Sequence, residues 1–219
     1  MKAMLLAAGR GDRMGPLTVA QPKPMLELCG ERLIERHLRR LAQAGITEIV
    51  INLSYKAAML RDFVGEKTRW GQNVAFSDEG EPPLETGGGV VNALPLLGPA
   101  PFIVVNADIY TDFDFARLLQ QPRDPLLVLV ANPRHNPRGD FGLTTSGRVS
   151  LEPPLWTFSG ISVMSEELFA AVPPGRQPLL PILQSAIAKG LLRGTLYEGV
   201  WRDVGTPERL AEARGLGPL

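Results

Sequence analysis

The stretch Leu6-Ala7-Ala8-Gly9-Arg10-Gly11-Asp12-Arg13-Met14-Gly15-Pro16-Leu17-Thr18, followed by Gln21-Pro22-Lys23-Pro24, decides how the chain is read. It leaves residues 3–8, a short and wholly apolar run that reads as a buried strand. Glycines allow a backbone to come close to phosphate and to turn its N–H groups toward it. Arg13 adds a planar, permanently charged fork, and Lys23 adds a compact charge held between two prolines. A buried strand that opens into such a loop reads as a phosphate-binding turn. The Gly-Lys-Ser/Thr ending of a Walker A loop is absent. A dinucleotide fingerprint is also excluded, because Met14 follows Arg13 and the second strand ends near Asn52 without an acidic residue.

Outward from this loop, strand and helix signals alternate. Strands are expected over 48–53, 73–77, 102–106 and 126–131, and helices over 31–44, 55–64, 88–97 and 113–119. Leu33, Ile34, His37, Leu38 and Leu41 form the inner face of the first helix, with Gly45 at its C-terminal cap. Tyr55, Met59, Leu60 and Phe63 are expected to face inward from the second. Strands apolar on both faces imply a mostly parallel sheet covered on both sides. After Asn132 the pattern changes to short antiparallel strands over 141–145, 149–151 and 156–164. Helices over 166–171, 179–189 and 207–214 close the chain, the last with Thr206 as N-cap and Pro207 at N1. The fold class is therefore α/β: a Rossmann-like, three-layer α/β/α arrangement on a mixed, mostly parallel sheet. One domain over 1–219 is expected, with a parallel core at 1–131 and a partly antiparallel lobe at 132–219.

Lys+Arg and Asp+Glu both number 23, so no global basic field draws the chain to nucleic acid or to an anionic membrane. No apolar run approaches the roughly 20 residues of a membrane span, and charge interrupts the N-terminal apolar run too soon for a leader. A cytoplasmic location is expected. Cys29, the single cysteine, excludes an intramolecular disulfide framework and reads as a small buried thiol. His37 reads as a core histidine on an apolar helix face. Asp112 and Asp114 read as helix caps. Asp108 follows the strand at 102–106 directly, and Asp203 precedes the last helix. A fold that joins these carboxylates beside phosphate would suit Mg²⁺, which prefers oxygen ligands.

The combination G-x-G-x-R-M-x-P-L-T with a following P-K-P resembles the sugar-1-phosphate nucleotidylyltransferases, and the resemblance covers essentially the whole chain. It extends to the runs Leu84-Glu85-Thr86-Gly87-Gly88-Gly89, Asn106-Ala107-Asp108, Arg138-Gly139-Asp140-Phe141 and Phe158-Ser159-Gly160-Ile161. It implies an enzyme that joins a nucleoside triphosphate to a sugar 1-phosphate and releases pyrophosphate. The implied cofactor is Mg²⁺, held by Asp108 and Asp203. Arg13 and Lys23 would be catalytic. Leu6, Ala7, Gly9, Arg10, Gly11, Arg13, Lys23 and Gly88 would bind the nucleotide. Asn106, Asp140, Ser159, Gly160, Arg138 and Arg202 would bind the sugar. The short length and these runs favour UTP and N-acetylmuramate α-1-phosphate, with a hexose-1-phosphate guanylyl- or thymidylyltransferase as the alternative. A non-catalytic nucleotide-binding domain is disfavoured by the intact set of site residues. The lactyl carboxylate of that sugar would need a cation, for which Arg134, Arg138 and Arg202 are the candidates.

Overall fold

The computed structural model describes residues 1–120 and 124–218. Its centre is one nine-stranded sheet. In spatial order it runs β10 (Val149–Ser150), β9 (Phe141–Leu143), β11 (Leu155–Met164), β6 (Phe102–Asn106), β1 (Ala3–Leu6), β4 (Glu48–Leu53) and β5 (Asn73–Asp78). β8 (Leu126–Val130) joins the other edge of β11 and carries β12 (Arg193–Tyr197) beside it in parallel. Only β10 and β11 run against the remaining strands. The sheet is mixed and mostly parallel, as its doubly apolar strands imply.

Helices cover both faces. On one side, α1 (Leu33–Gln43) buries Ile34, Leu38 and Leu41 against Leu5, Ile51 and Val105. α2 (Ala57–Val64) joins that layer through Leu60 and Val64. Met59 does not point inward: the buried face is set by Leu60 and Val64, four residues apart, and Met59 lies to one side of it, exposed. On the other face, α3 (Glu85–Leu97) and α5 (Leu179–Ala188) pack through Val90, Ala93, Ile182 and Leu183 against Met4, Val50, Val104 and Leu127. A smaller cluster of Met14, Leu28, Leu33, Tyr110 and Val204 seats α6 (Pro207–Arg214) beside the phosphate loop.

Several expectations are corrected at the element ends. The helix expected at 113–119 shrinks to α4 (Ala116–Leu119), and that at 166–171 is a 3-10 turn, Glu166–Phe169. Cys29 is not a buried thiol. With Gly30 it makes the tight turn between β2 (Glu27–Leu28) and β3 (Glu31–Arg32), at φ 53° and 81°, where it is partly exposed. Such paired positive φ values define the hairpin turn that matches strand twist. Five strands were not legible as such: β2, β3, which takes the first two residues of the helix expected at 31–44, β7 (Ile109–Thr111), β12, and β13 (Trp201–Asp203), which pairs antiparallel with β7.

Candidate active site

The carboxyl ends of β1, β4, β5 and β6 open into a cleft, as expected for open α/β sheets. Its first bay is lined by Leu6, Ala7 and Gly9 from the β1 turn, by Lys23, and by Asn52, Glu79, Asn106 and Asp108 from the neighbouring strand ends. A second bay, on the far side of Asp108, holds Arg13, Asp140, Ser159 and Asp203. A third, more apolar bay is walled by Thr86, Phe141, Phe158, Leu179 and Leu183. Asn106 borders all three.

The phosphate loop is built around Gly11. At φ 71° and ψ 33° it is left-handed, and its carbonyl accepts from the Met14 amide (2.8 Å) and the Thr18 hydroxyl (3.1 Å). A Cβ there would stand 3.0 Å from Thr18 Cγ2 and 3.1 Å from Lys23 Cβ, so the glycine lets the lysine lie against the loop. Lys23 is 7% exposed, between Pro22 and Pro24, and its Nζ donates to Asp108 Oδ2 at 2.5 Å. Burying an ammonium is tolerable only with such a partner. Arg13, by contrast, has no side-chain partner among the described residues and lines the second bay. Arg10 stands outside the cleft wall, its guanidinium over the Tyr55 ring.

Asp108 and Asp203 are far apart in sequence, and the small β7–β13 ribbon joins them. Asp203 is registered opposite Ile109, and the Val204 amide donates to the Asp108 carbonyl at 2.8 Å. Asp203 Oδ2 accepts from Arg209 at 2.7 Å, while its Oδ1 is buried with no hydrogen-bond partner. An orphaned carboxylate oxygen is costly unless something meets it. Among the described residues no group of three or more His, Cys, Asp or Glu side chains forms a protein-only metal cage. Two carboxylates beside a phosphate loop, one with an unmet oxygen, fit Mg²⁺, which keeps water and phosphate oxygens as its other ligands.

A chain of hydrogen bonds not foreseen from the sequence fixes the floor of the first bay. The Ala7 amide donates to Asn52 Oδ1 (2.6 Å), Asn52 donates to Glu79 Oε1 (2.6 Å), and Glu79 Oε2 accepts from the Leu84 amide (2.7 Å). Burial raises the Glu79 pKa above the usual carboxylate value, opposed by these donors. The only sequence signal was a polar Asn near the end of the apolar run Glu48–Leu53.

Gly88 is a correction. It does not line the cleft: its amide donates to Gln177 O at 2.9 Å, and a Cβ would meet Gly175 O at 2.2 Å. The glycine run serves packing, letting residues 175–178 lie across α3, and that segment brings Arg176 to the first bay, where it pairs with Glu85 at 2.8 Å. Beside the second bay, Gly160 (φ 79°) makes the bulge in β11 and leaves room for Asn106, whose Nδ2 would be 2.6 Å from a Cβ. Ser159 is almost fully buried, its hydroxyl accepting from the Ile161 amide and its carbonyl from Trp201 Nε1 (2.8 Å). Both oxygens of Asp140 are engaged, by Asn136 and by the Phe158 amide. Arg138 is exposed and lines none of these bays, whereas Arg202 borders a hollow beyond Asp203. Asp114 caps α4 through the Ala116 amide, but Asp112 does not cap a helix: it accepts from the Val200 amide and the Tyr197 hydroxyl, and with burial this pushes that phenol's pKa up to about 12.

The nucleotidyl transferase family model matches residues 2–150, and the chain belongs to that family. It is a sugar-1-phosphate nucleotidylyltransferase. It is 44% identical to the N-acetylmuramate alpha-1-phosphate uridylyltransferase of Neisseria meningitidis serogroup B, over 99% of this chain and 98% of the relative. The enzyme of the same name from Caulobacter vibrioides is 34% identical over 96% and 97%. Among solved structures, HddC from Yersinia pseudotuberculosis, crystallised with GMP-PN, superposes with a TM-score of 0.81 at 24% identity, over 98% of each chain. No described helix is long and apolar enough to cross a membrane.

Proposed function

We propose that the chain transfers a uridylyl group from UTP to N-acetylmuramate α-1-phosphate, releasing pyrophosphate, in the recycling of cell-wall sugars in the cytoplasm. The observation that carries the chemistry is the convergence of Arg13, Lys23, Asp108 and Asp203 on one cleft from three separate parts of the sequence. The substrates rest on the similarity to two uridylyltransferases over nearly the whole length of both.

In this reading the base and ribose occupy the first bay, against Leu6, Ala7 and Gly9, and the sugar occupies the second and third, against Asn106, Asp140 and Phe158. Most residues of 1–131 serve the nucleotide and most of 132–219 the sugar; Asn106 crosses to the sugar, Arg176 borders the nucleotide bay and Asp203 serves the metal. An oxygen of the sugar phosphate attacks the α-phosphorus. A new P–O bond forms, the bond to the bridging oxygen of the β-phosphate breaks, and pyrophosphate leaves with that electron pair. The nucleophile is already an anion, so no general base is required. Lys23 and Arg13 neutralise charge on the reacting phosphates and hold them in line, which is most of what phosphoryl-type transfer asks of a protein. Asp108 and Asp203 would hold Mg²⁺, which supplies Lewis-acid charge to phosphate oxygens.

The test is pyrophosphate release over a grid of UTP, GTP and dTTP against sugar 1-phosphates, with Mg²⁺. UTP with the N-acetylmuramate sugar should give the highest kcat/KM. A preference for GTP or dTTP with a simple hexose 1-phosphate would replace this reading with the guanylyl- or thymidylyltransferase one.

A further inference from the structure

Beyond Asp203 the cleft continues into a hollow of about 610 Å³ between residues 131–135 and α6. It shares His135, Trp201 and Asp203 with the second bay, so a substituent on a sugar in that bay can reach it. Its charged lining is Arg134, Arg202 and Arg209 against Asp203 and Glu212. Arg209 is already spent on Asp203 at 2.7 Å, and His135 Nε2 stands 3.6 Å from the same oxygen. Among the described residues neither Arg134 nor Arg202 forms an ion pair, and Arg202 donates only to the adjacent Trp201 carbonyl (2.7 Å). These two guanidinium groups face Glu212 as the one remaining carboxylate, which leaves one positive charge unmatched.

No residue of the glycine loop reaches this hollow, so the triphosphate is held elsewhere. The second bay itself is lined by Asp108, Asp140 and Asp203, and a carboxylate placed there would meet like charge. Arg13 in that bay is committed to phosphate in the reading above. Arg176, on the opposite wall, is paired with Glu85.

We propose that Arg134 and Arg202 form a subsite for a carboxylate carried by the sugar. The inference rests on the N-acetylmuramate reading, whose sugar bears a lactyl carboxylate. Arginine suits the task, because its fork grips a carboxylate with two parallel hydrogen bonds. The subsite makes the hollow the selector between sugars that differ only in that acid group.

The experiment measures kcat/KM, with UTP and Mg²⁺, for N-acetylmuramate 1-phosphate and for N-acetylglucosamine 1-phosphate, which lacks the acid. The proteins are the parent enzyme, Arg134→Ala, Arg202→Ala and Arg202→Lys. The ratio of the two kcat/KM values should fall by about 10–100-fold in each alanine variant, the size of a lost charge-assisted hydrogen bond. Arg202→Lys should recover part of it. A ratio unchanged in both alanine variants, whether activity on the two sugars falls equally or not at all, overturns the subsite while leaving the substrate reading intact. A parent enzyme with no preference for the acid sugar overturns the substrate reading itself, and the subsite with it.

Discussion

Lys23 and Asp108 show how one contact can prepare a charge for another partner. The ammonium rests on the carboxylate, and the two prolines and Gly11 hold its stem in place. Arg13 lines the same cleft without a side-chain partner among the described residues. In the proposed reaction, removing either charge would leave phosphate unneutralised at the point of transfer. Lys23→Ala and Arg13→Ala are therefore each expected to cut kcat by about 10²-fold or more, as loss of a preorganised donor does. Pyrophosphate release under saturating substrates checks this, with unchanged far-UV circular dichroism as the control for fold. Near-normal turnover in either variant would remove that residue from the reaction.

Among the elements, α3 illustrates a side chain missing for a structural reason. Gly87, Gly88 and Gly89 face the 175–178 segment, Glu79 and Asn52 so closely that a methyl group at any of them would overlap a neighbour. Gly88→Ala would force Gly175 away and is expected to destabilise the protein by about 1–3 kcal/mol. Thermal unfolding should show a fall of about 4–10 °C in Tm; an unchanged Tm would mean the segment does not press on the helix. The same helix marks the limit of the sequence reading. Three glycines signal close approach, but not by what: nucleobase and backbone demand the same absent Cβ. The buried strands β1, β6 and β8 were legible because continuous apolar runs have few other uses. β12 was not, because Arg193-Gly194-Thr195-Leu196-Tyr197 is a half-buried edge with neither apolar continuity nor clean alternation. β13 is too short to carry a period, so the approach of Asp203 to Asp108 rested on resemblance alone. Asn52 and Glu79 needed the fold, since two polar residues from different strand ends become a pair only when β4 and β5 lie side by side.

Across the whole molecule, the sheet and its covering helices bury groups whose protonation is then tied to folding. His37 is 1% exposed in α1, and burial, aided by the nearby Arg36 guanidinium, lowers its pKa from 6.5 to about 4. The unfolded chain therefore binds more protons than the native state between those two values. His37 contributes its full stability above about pH 6.5, and that contribution is lost as pH falls toward 4. Between pH 7 and pH 5 the cost is about 2 kcal/mol for this one group. Urea unfolding at the two pH values should reveal it, and the drop should shrink by that amount in His37→Leu, which keeps an apolar side chain of similar bulk. An equal acid sensitivity in parent and variant would assign the effect to other groups.

The lysine that rests on Asp108 also sets an order of arrival. The Lys23 ammonium on Asp108 Oδ2 and the Arg209 guanidinium on Asp203 Oδ2 each set a positive charge beside the oxygens a metal would use. Bound phosphate would offer the Lys23 ammonium a second anion and leave Asp108 freer to hold Mg²⁺, which would supply charge to the phosphate oxygens. The cation should then enter with the nucleotide instead of waiting for it. Calorimetric titration of Mg²⁺ should give little heat with the empty enzyme and a clear isotherm once a non-hydrolysable UTP analogue is bound, the second signal vanishing in Asp108→Ala. Tight Mg²⁺ binding without nucleotide would contradict this.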